Sequence, residues 1–307
     1  MSTQLPSALA KLASFRQHNS RQSQEIVDAG VPLLKNRRVT QQLDADSSAW
    51  VEQLALASID VGKLDVADEC IELLKQRFPG SPRVDVLIGI RKEASSPPEA
   101  VLEYYDGLLE ADESNAAAWK RKIVILRRSG DVTKAVDQLS KYLDTYYTDI
   151  QGWLELADLY SSCNQYESAL KSLQHALLLA PQNPFYVLQA AELAYTAGDI
   201  PLAMKFFLMV IDMTEDPDLD PAARVEAVPE GIAVRAWFGV KQCTRRLIKD
   251  SRSASVSPSQ TPAPQHVQLL DELATERLLT SYSTYSGGPR DGPVRCREEL
   301  VKWLEAK

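Results

Sequence analysis

The sequence predicts an all-α protein, a solenoid of stacked helix pairs with non-repeat helices at its C-terminal end, and three observations lead there. The first is the stretch Ile150 to Asn183, IQGWLELADLYSSCNQYESALKSLQHALLLAPQN. Trp153, Leu156, Ala157 and Tyr160 fall on one helical stripe, and Tyr166, Ala169, Leu170, Leu173, Ala176, Leu177 and Ala180 keep the same period until Pro181 ends it. The second is recurrence at a step of 34 residues. Trp119 precedes Trp153, Ala135 precedes Ala169, Leu139 precedes Leu173 and Gly130 precedes Asn164, while Ala203, Phe207 and Gly198 follow at the same step. The third is that no segment reads as a strand.

Two short amphipathic helices joined by a turn at Asn164, in the order Trp153, Leu156, Ala157, Tyr160, then Ala169, Leu173 and Pro181, match the pattern of a tetratricopeptide repeat. Ala157 stands where that pattern has glycine and Leu173 where it has phenylalanine. Two weaker copies lie upstream, one carrying Gly62, Ala67, Ile71, Leu74 and Pro79, the other Ala100, Tyr104 and Leu108. The alanines expected where the two helices of each pair cross are therefore Ala67, Ala100, Ala135, Ala169 and Ala203, spaced 33, 35, 34 and 34. A small residue there lets two backbones approach, and bulky neighbours fill the groove around it. One such pair cannot bury its apolar face alone, so about five repeats are expected to share a continuous core as a tetratricopeptide superhelix.

In order, residues 1–47 read as an N-terminal helical segment, with a helix over Ser23 to Leu34 that Pro32 weakens near its end. Residues 48–217 hold the repeat array. Its second repeat is the least regular, turning at Ser95, Ser96, Pro97 and Pro98, with Pro98 in the first turn of the following helix. Thr148 with Gln151 suits a capping box ahead of Trp153, and Asn183 followed by Pro184 suits a helix start. The period fails beyond Asp216. Residues 218–250 form a helical extension around Val234, Ala236, Trp237, Val240 and Leu247. Residues 251–265, SRSASVSPSQTPAPQ, read as a disordered linker, and 266–307 as two helices capping the open end of the array.

Several function classes are unsupported. A net charge of −8 is the wrong sign for a chain whose main partner is nucleic acid. The three histidines, His18, His175 and His266, form no ligand-spaced cluster, and no nucleophile elbow, phosphate-binding glycine loop or zinc-protease motif occurs. No catalytic residue, cofactor or metal is expected. Cys70, Cys163, Cys243 and Cys296 are scattered, as reduced thiols in or near a core would be. The N-terminal residues MSTQLPSALAKLAS carry no basic segment followed by an apolar one, and the apolar run Ser172 to Ala191 is broken by Pro181 and Pro184. A cytosolic chain without a membrane span is expected.

One charge feature stands out. WKRKIVILRR places Lys120, Arg121, Lys122, Arg127 and Arg128 within ten residues with no acid. Two readings are open: a helix face paired to Asp or Glu of adjoining repeats, or a docking site for an acidic partner segment or anionic lipid headgroups.

NSRQSQEIVDAG (Asn19 to Gly30), RFPGSPRV (Arg77 to Val84), WKRKIVI, WLELADLY, QAAELAYTAGDI and VRAWFGV resemble stretches of the subunit 2 family of the endoplasmic reticulum membrane protein complex, itself a tetratricopeptide repeat family. The resemblance runs from about Asn19 to Val240. It implies a non-catalytic scaffold subunit, peripheral on the cytoplasmic face of the endoplasmic reticulum membrane, in a complex that inserts tail-anchored and multipass clients. It further implies that the chain cradles the cytosolic ends of membrane subunits 3 and 5 and, in some lineages, holds a further soluble subunit. Membrane contact would then be indirect. The chain departs from the family at Ser95 to Pro98 and at 251–265. The rival readings are a co-chaperone that grips an anionic C-terminus, a scaffold of another multiprotein complex and the targeting domain of an enzyme. The first would face Val124, Leu154, Glu155 and Asp158, an apolar and acidic surface.

Overall fold

The computed structural model describes residues 4–36, 39–40, 48–215, 218, 220, 227–250, 257–282 and 292–305, and within them the chain forms fifteen helices and no strand. These are α1 (Gln4–Gln17), α2 (Ser23–Leu34), α3 (Ala49–Val61), α4 (Leu64–Arg77), α5 (Pro82–Glu93), α6 (Pro98–Ala111), α7 (Ala116–Arg128), α8 (Val132–Thr145), α9 (Ile150–Ser162), α10 (Tyr166–Leu179), α11 (Pro184–Ala197), α12 (Ile200–Thr214), α13 (Ile232–Lys249), α14 (Val267–Ser281) and α15 (Gly292–Glu305). From α3 to α12 they alternate as first and second helices of five pairs.

Three buried columns carry the 34-residue period. On the first helices Ala55, Gly89, Ile123, Ala157 and Ala191 are buried; on the second helices Ala67, Val101, Ala135, Ala169 and Ala203 are; and one turn further on Ile71, Tyr105, Leu139, Leu173 and Phe207 are. The turns follow the same step. Gly62, Gly130 and Gly198 have φ of 81°, 79° and 87°, and Asn164 has 58°, so glycine or asparagine supplies the left-handed residue that ends four of the five first helices. This is an α-solenoid of tetratricopeptide type.

The second pair corrects the register expected from sequence. Ala100 is exposed, and Val101 occupies the crossing, 34 residues from Ala67 and from Ala135. Tyr105, not Tyr104, fills the next site. Pro97 and Pro98 start α6 without a left-handed turn residue, so the usual marker of register is missing there. The column accommodates the larger Val and Tyr because Gly89 faces them. A Cβ at Gly89 would stand 2.4 Å from the Tyr105 hydroxyl oxygen.

Two compact units divide the chain at Tyr142 and Leu143, in the last turn of α8. In the first unit the N-terminal segment is continuous with the first repeat: Leu12, Ile26, Val27, Leu33 and Leu34 pack with Trp50, Val51 and Leu54. In the second unit α13 to α15 extend the core of α11 and α12, with Ala236, Trp237, Val240, Ala274, Leu278 and Leu300 joining Ala203 and Phe207.

A polar lock joins α13 to α14. The buried Lys241 donates to Asp271 Oδ2 and Thr275 Oγ1, both at 2.7 Å, and Thr244 donates to Asp271 Oδ1 at 2.7 Å. The guanidinium of Arg245 donates to the carbonyls of Trp303 and Leu304 on α15 and lies 4.4 Å from the Trp303 ring centroid.

Two local expectations differ from the structure. The helix of Trp153 starts at Asp149 without a side-chain cap, so Thr148 and Gln151 form no capping box. Asn183, in contrast, does cap α11, accepting from Phe185 N at 3.0 Å. The second half of the serine- and proline-rich stretch is not free chain. Ser257 Oγ donates to Asp199 Oδ1 at 2.7 Å and Ser259 N to Asp199 Oδ2 at 3.1 Å; residues 251–256 lie outside the described residues.

Gly89→Val should cost about 1–3 kcal/mol through overpacking against Tyr105. Ala100→Val, one turn from that contact on an exposed site, should leave the melting temperature within error. Equal melts for the two variants would return the crossing to Ala100. Separately, Lys241→Ala leaves Asp271 without its cation in a largely desolvated site and should cost about 3–5 kcal/mol by denaturant titration.

Candidate functional site

The basic island lies on α7, whose N-terminus is capped by Asn115 accepting from Ala118 N at 3.0 Å. Its residues do not form one continuous positive surface. Arg121 Nε donates to Glu93 Oε1 at 2.9 Å and its Nη2 donates to Glu93 Oε2, a bidentate pair in which the Glu93 side chain is only 6% exposed. Tyr105 Oη donates to the same Oε1 at 2.9 Å, so Glu93 ties α5, α6 and α7 together. Burial first, and the negative charge of Glu93 second, push the Tyr105 phenol well above its ordinary pKa, which keeps it a donor. Lys122 Nζ pairs with Asp106 Oδ1 at 2.6 Å, and Lys120 Nζ sits 5.6 Å from the Tyr142 ring centroid. Arg127 and Arg128 are exposed in the last turn of α7, where cations complement the helix dipole.

Arg121 and Arg128 also border a concavity of the first unit, a groove of about 600 Å³. Its apolar lining comes from Phe15, Ile26, Leu56, Ile59 and Ile90, and Leu56 is 38% exposed to it. The rim is polar. Arg21 grips Asp60 with Nε–Oδ2 at 3.0 Å and Nη2–Oδ1 at 2.7 Å, Ser23 Oγ adds a third bond at 2.8 Å, and Arg16 Nη1 donates to Gln53 Oε1 at 2.8 Å. The hydrogen bond from Arg21 holds the Asp60 carboxyl below its usual range. An apolar floor with charged walls suits a peptide segment carrying both apolar and charged side chains.

The groove was not legible in the sequence, because Arg21 and Asp60 are 39 residues apart and belong to no period. One signal pointed to it. NSRQSQEIVDAG is not demanded by repeat geometry, and Asn19, Ser20, Arg21, Ser23 and Ile26 from that stretch line the groove. Gly30, its last residue, lies where α2 meets α3; a Cβ there would stand 2.7 Å from Leu54 Cδ1.

Of the residues expected to pack the repeats, Ala67, Ala135, Ala157, Ala169 and Ala203 are buried, while Trp119, Trp153 and Tyr160 are half-buried. Trp153 stacks on His175 with centroids 4.3 Å apart and 15° between planes, and its Nε1 donates to the Tyr147 carbonyl at 2.8 Å. Trp119 meets Tyr142 edge-on at 5.7 Å. Cys70 and Cys243 are buried, with thiols that burial pushes up to about 12, while Cys163 is exposed. The Cys296 side chain lies outside the described residues. Among the described residues no group of three or more His, Cys, Asp or Glu could hold a metal ion, and no helix is long and apolar enough to cross a membrane.

Known proteins share this architecture and, in part, this sequence. The family description EMC2 TPR-like repeat domain matches residues 86–204. ER membrane protein complex subunit 2-B of Xenopus laevis is 35% identical over 206 residues, 66% of this chain and 69% of that protein. The chain belongs to the subunit 2 family of the ER membrane protein complex. Within that relationship, subunit 2 of Xenopus tropicalis is 34% identical over the same length and shares, and TPR repeat protein oca3 of Schizosaccharomyces pombe is 28% identical over 207 residues, 66% of this chain and 68% of its own. Among solved structures, the C-terminal part of a TPR repeat-containing protein from Cytophaga hutchinsonii superposes with a TM-score of 0.55 at 13% identity, over 97% of this chain and 99% of that one. That likeness speaks to the fold alone.

Glu93→Ala should remove the partner of both Arg121 and Tyr105 and cost about 1–3 kcal/mol in a denaturant titration. The exposed Arg21→Ala should cost at most about 1 kcal/mol. A Glu93→Ala melt equal to the parent would show that the three-helix tie contributes nothing to the fold.

Proposed function

We propose that this chain is a non-catalytic scaffold subunit of the ER membrane protein complex, lying peripherally on the cytoplasmic face of the endoplasmic reticulum membrane. It supports insertion of tail-anchored and multipass clients by cradling the cytosolic ends of membrane subunits 3 and 5. The observation that carries this reading is the 35% identity to a relative named as subunit 2 of that complex, over two thirds of both chains. The groove of the first unit supplies a fitting surface, with an apolar floor at Leu56 and Ile90 and cations at Arg21 and Arg128. A chain with net charge −8 and with Arg121 and Lys122 already paired has little to offer an anionic bilayer, so its recruitment is through proteins.

Affinity purification of the tagged chain from detergent-solubilised endoplasmic reticulum membranes should recover membrane-embedded subunits. The double variant Leu56→Glu, Arg128→Glu should lower that recovery by roughly fivefold or more, as loss of one interface anchor does, with its circular dichroism unchanged. The purified chain should not float with anionic liposomes that lack those subunits. Recovery of no membrane subunit sinks the reading, and full recovery by the double variant moves the contact away from the groove.

A further inference from the structure

Ser257 and Ser259, at the start of an irregular strap, both bond one buried carboxylate of the second unit. Asp199 lies at the start of α12, is 2% exposed, and accepts from Leu202 N at 3.2 Å as a helix cap. Its remaining acceptor capacity goes to the strap: Ser257 Oγ reaches Oδ1 and Ser259 N reaches Oδ2. The Ser257 Oγ bond requires that Ser257 carry a hydroxyl proton and no charge. The strap itself has no regular secondary structure over 257–265, and Pro258, Ser259 and Gln260 are exposed. It is folded into a tight turn by Gln260 N to the Ser257 carbonyl and Thr261 N to Ser257 Oγ, so Ser257 organises both the turn and its docking.

Ser257 is also followed by Pro258, and Thr261 by Pro262, the two hydroxyl–proline dipeptides of this strap. A proline immediately after the acceptor is the feature that proline-directed protein kinases read, and an exposed irregular strap is the backbone such enzymes bind. We propose that Ser257 is a phosphorylation site for a proline-directed protein kinase and that its modification releases the strap from Asp199. In the transfer the bond between the γ-phosphorus of ATP and the β,γ-bridging oxygen breaks, and a bond from Ser257 Oγ to that phosphorus forms. ADP leaves with the bridging oxygen, and the kinase's catalytic carboxylate takes the hydroxyl proton.

The consequence follows from charge and from donors. A phosphoserine Oγ has no proton to give Asp199, and it brings between one and a half and two negative charges, roughly, against a carboxylate that is already desolvated. Asp199 keeps its bond to Leu202 N, so α12 stays capped while the strap departs. The modification thus acts on the strap alone and uncovers the turn between α11 and α12.

The test uses the full-length protein, ATP and a recombinant kinase of the mitogen-activated class, with the site mapped by mass spectrometry and amide hydrogen exchange followed across 257–265. Phosphate should appear on Ser257, and exchange of the Ser259 and Thr261 amides should rise by roughly tenfold or more while α12 amides stay protected. Ser257→Ala, which loses the same hydroxyl without gaining charge, should accept no phosphate at 257 and show a smaller rise. Phosphate on Thr261 alone, or none on a chain treated with kinase that modifies a generic Ser-Pro substrate, overturns the site. Phosphate on Ser257 without faster exchange overturns the release.

Discussion

Close approach of two helices at one small residue per repeat is the constraint on which the rest of this protein depends. The crossing columns are complementary rather than uniform. Where the second-helix positions enlarge to Val101 and Tyr105, the opposing first-helix position shrinks to Gly89, with the Tyr105 hydroxyl occupying the space a Cβ would need. Cores tolerate such exchanges when summed volume is kept, and this explains how a repeat can lose the consensus alanine and keep the period.

Much of this was legible in the sequence for the same steric reason. A turn that needs a left-handed residue shows as Gly62, Gly130, Asn164 and Gly198, and a crossing that needs a small one shows as Ala67, Ala135, Ala169 and Ala203. The second pair was misread by one residue because Ala100 offered the right residue type next to the right place, and Ser96 gave no left-handed marker to correct it. The groove and its ion pairs were hidden for a different reason. Glu93 and Arg121 are 28 residues apart and Arg21 and Asp60 are 39 apart, so neither pair follows the repeat step. Electrostatic partners chosen once, outside the period, leave no pattern in a single chain.

The same distinction explains the basic island. Read along the sequence, Lys120 to Arg128 is a run of positive charge in an acidic chain. Folded, the helix distributes it: Arg121 turns to the buried Tyr105–Glu93 tie, Lys122 to Asp106, and Lys120 to the Tyr142 ring, while Arg127 and Arg128 face outward at the helix end. Of the two readings the run allowed, pairing to adjoining repeats accounts for its centre, and a docking role has Arg128 at the groove as its support.

The individuality of the chain therefore sits at the ends of the array, where neighbouring repeats no longer dictate the residues. At the N-terminal side, Gly30 admits α3 against α2 and Arg21 closes on Asp60. At the C-terminal side, Gly239 lies so close to Phe207 that a Cβ would stand 2.3 Å from its ring, and Lys241, two residues on, is buried against Asp271 and Thr275. A buried charge contributes little net stability over a well-packed apolar substitute, but breaking its pairing is costly, so it selects one placement of α14 on α13 over shifted alternatives. NSRQSQEIVDAG holds Arg21 and Gly30, and VRAWFGV holds Gly239 and ends just before Lys241; both are among the stretches that resemble the subunit 2 family. Capping a particular solenoid end is a one-time packing problem, so the residues that solve it, Gly30 with Leu54 and Gly239 with Phe207, carry no trace of the repeat period.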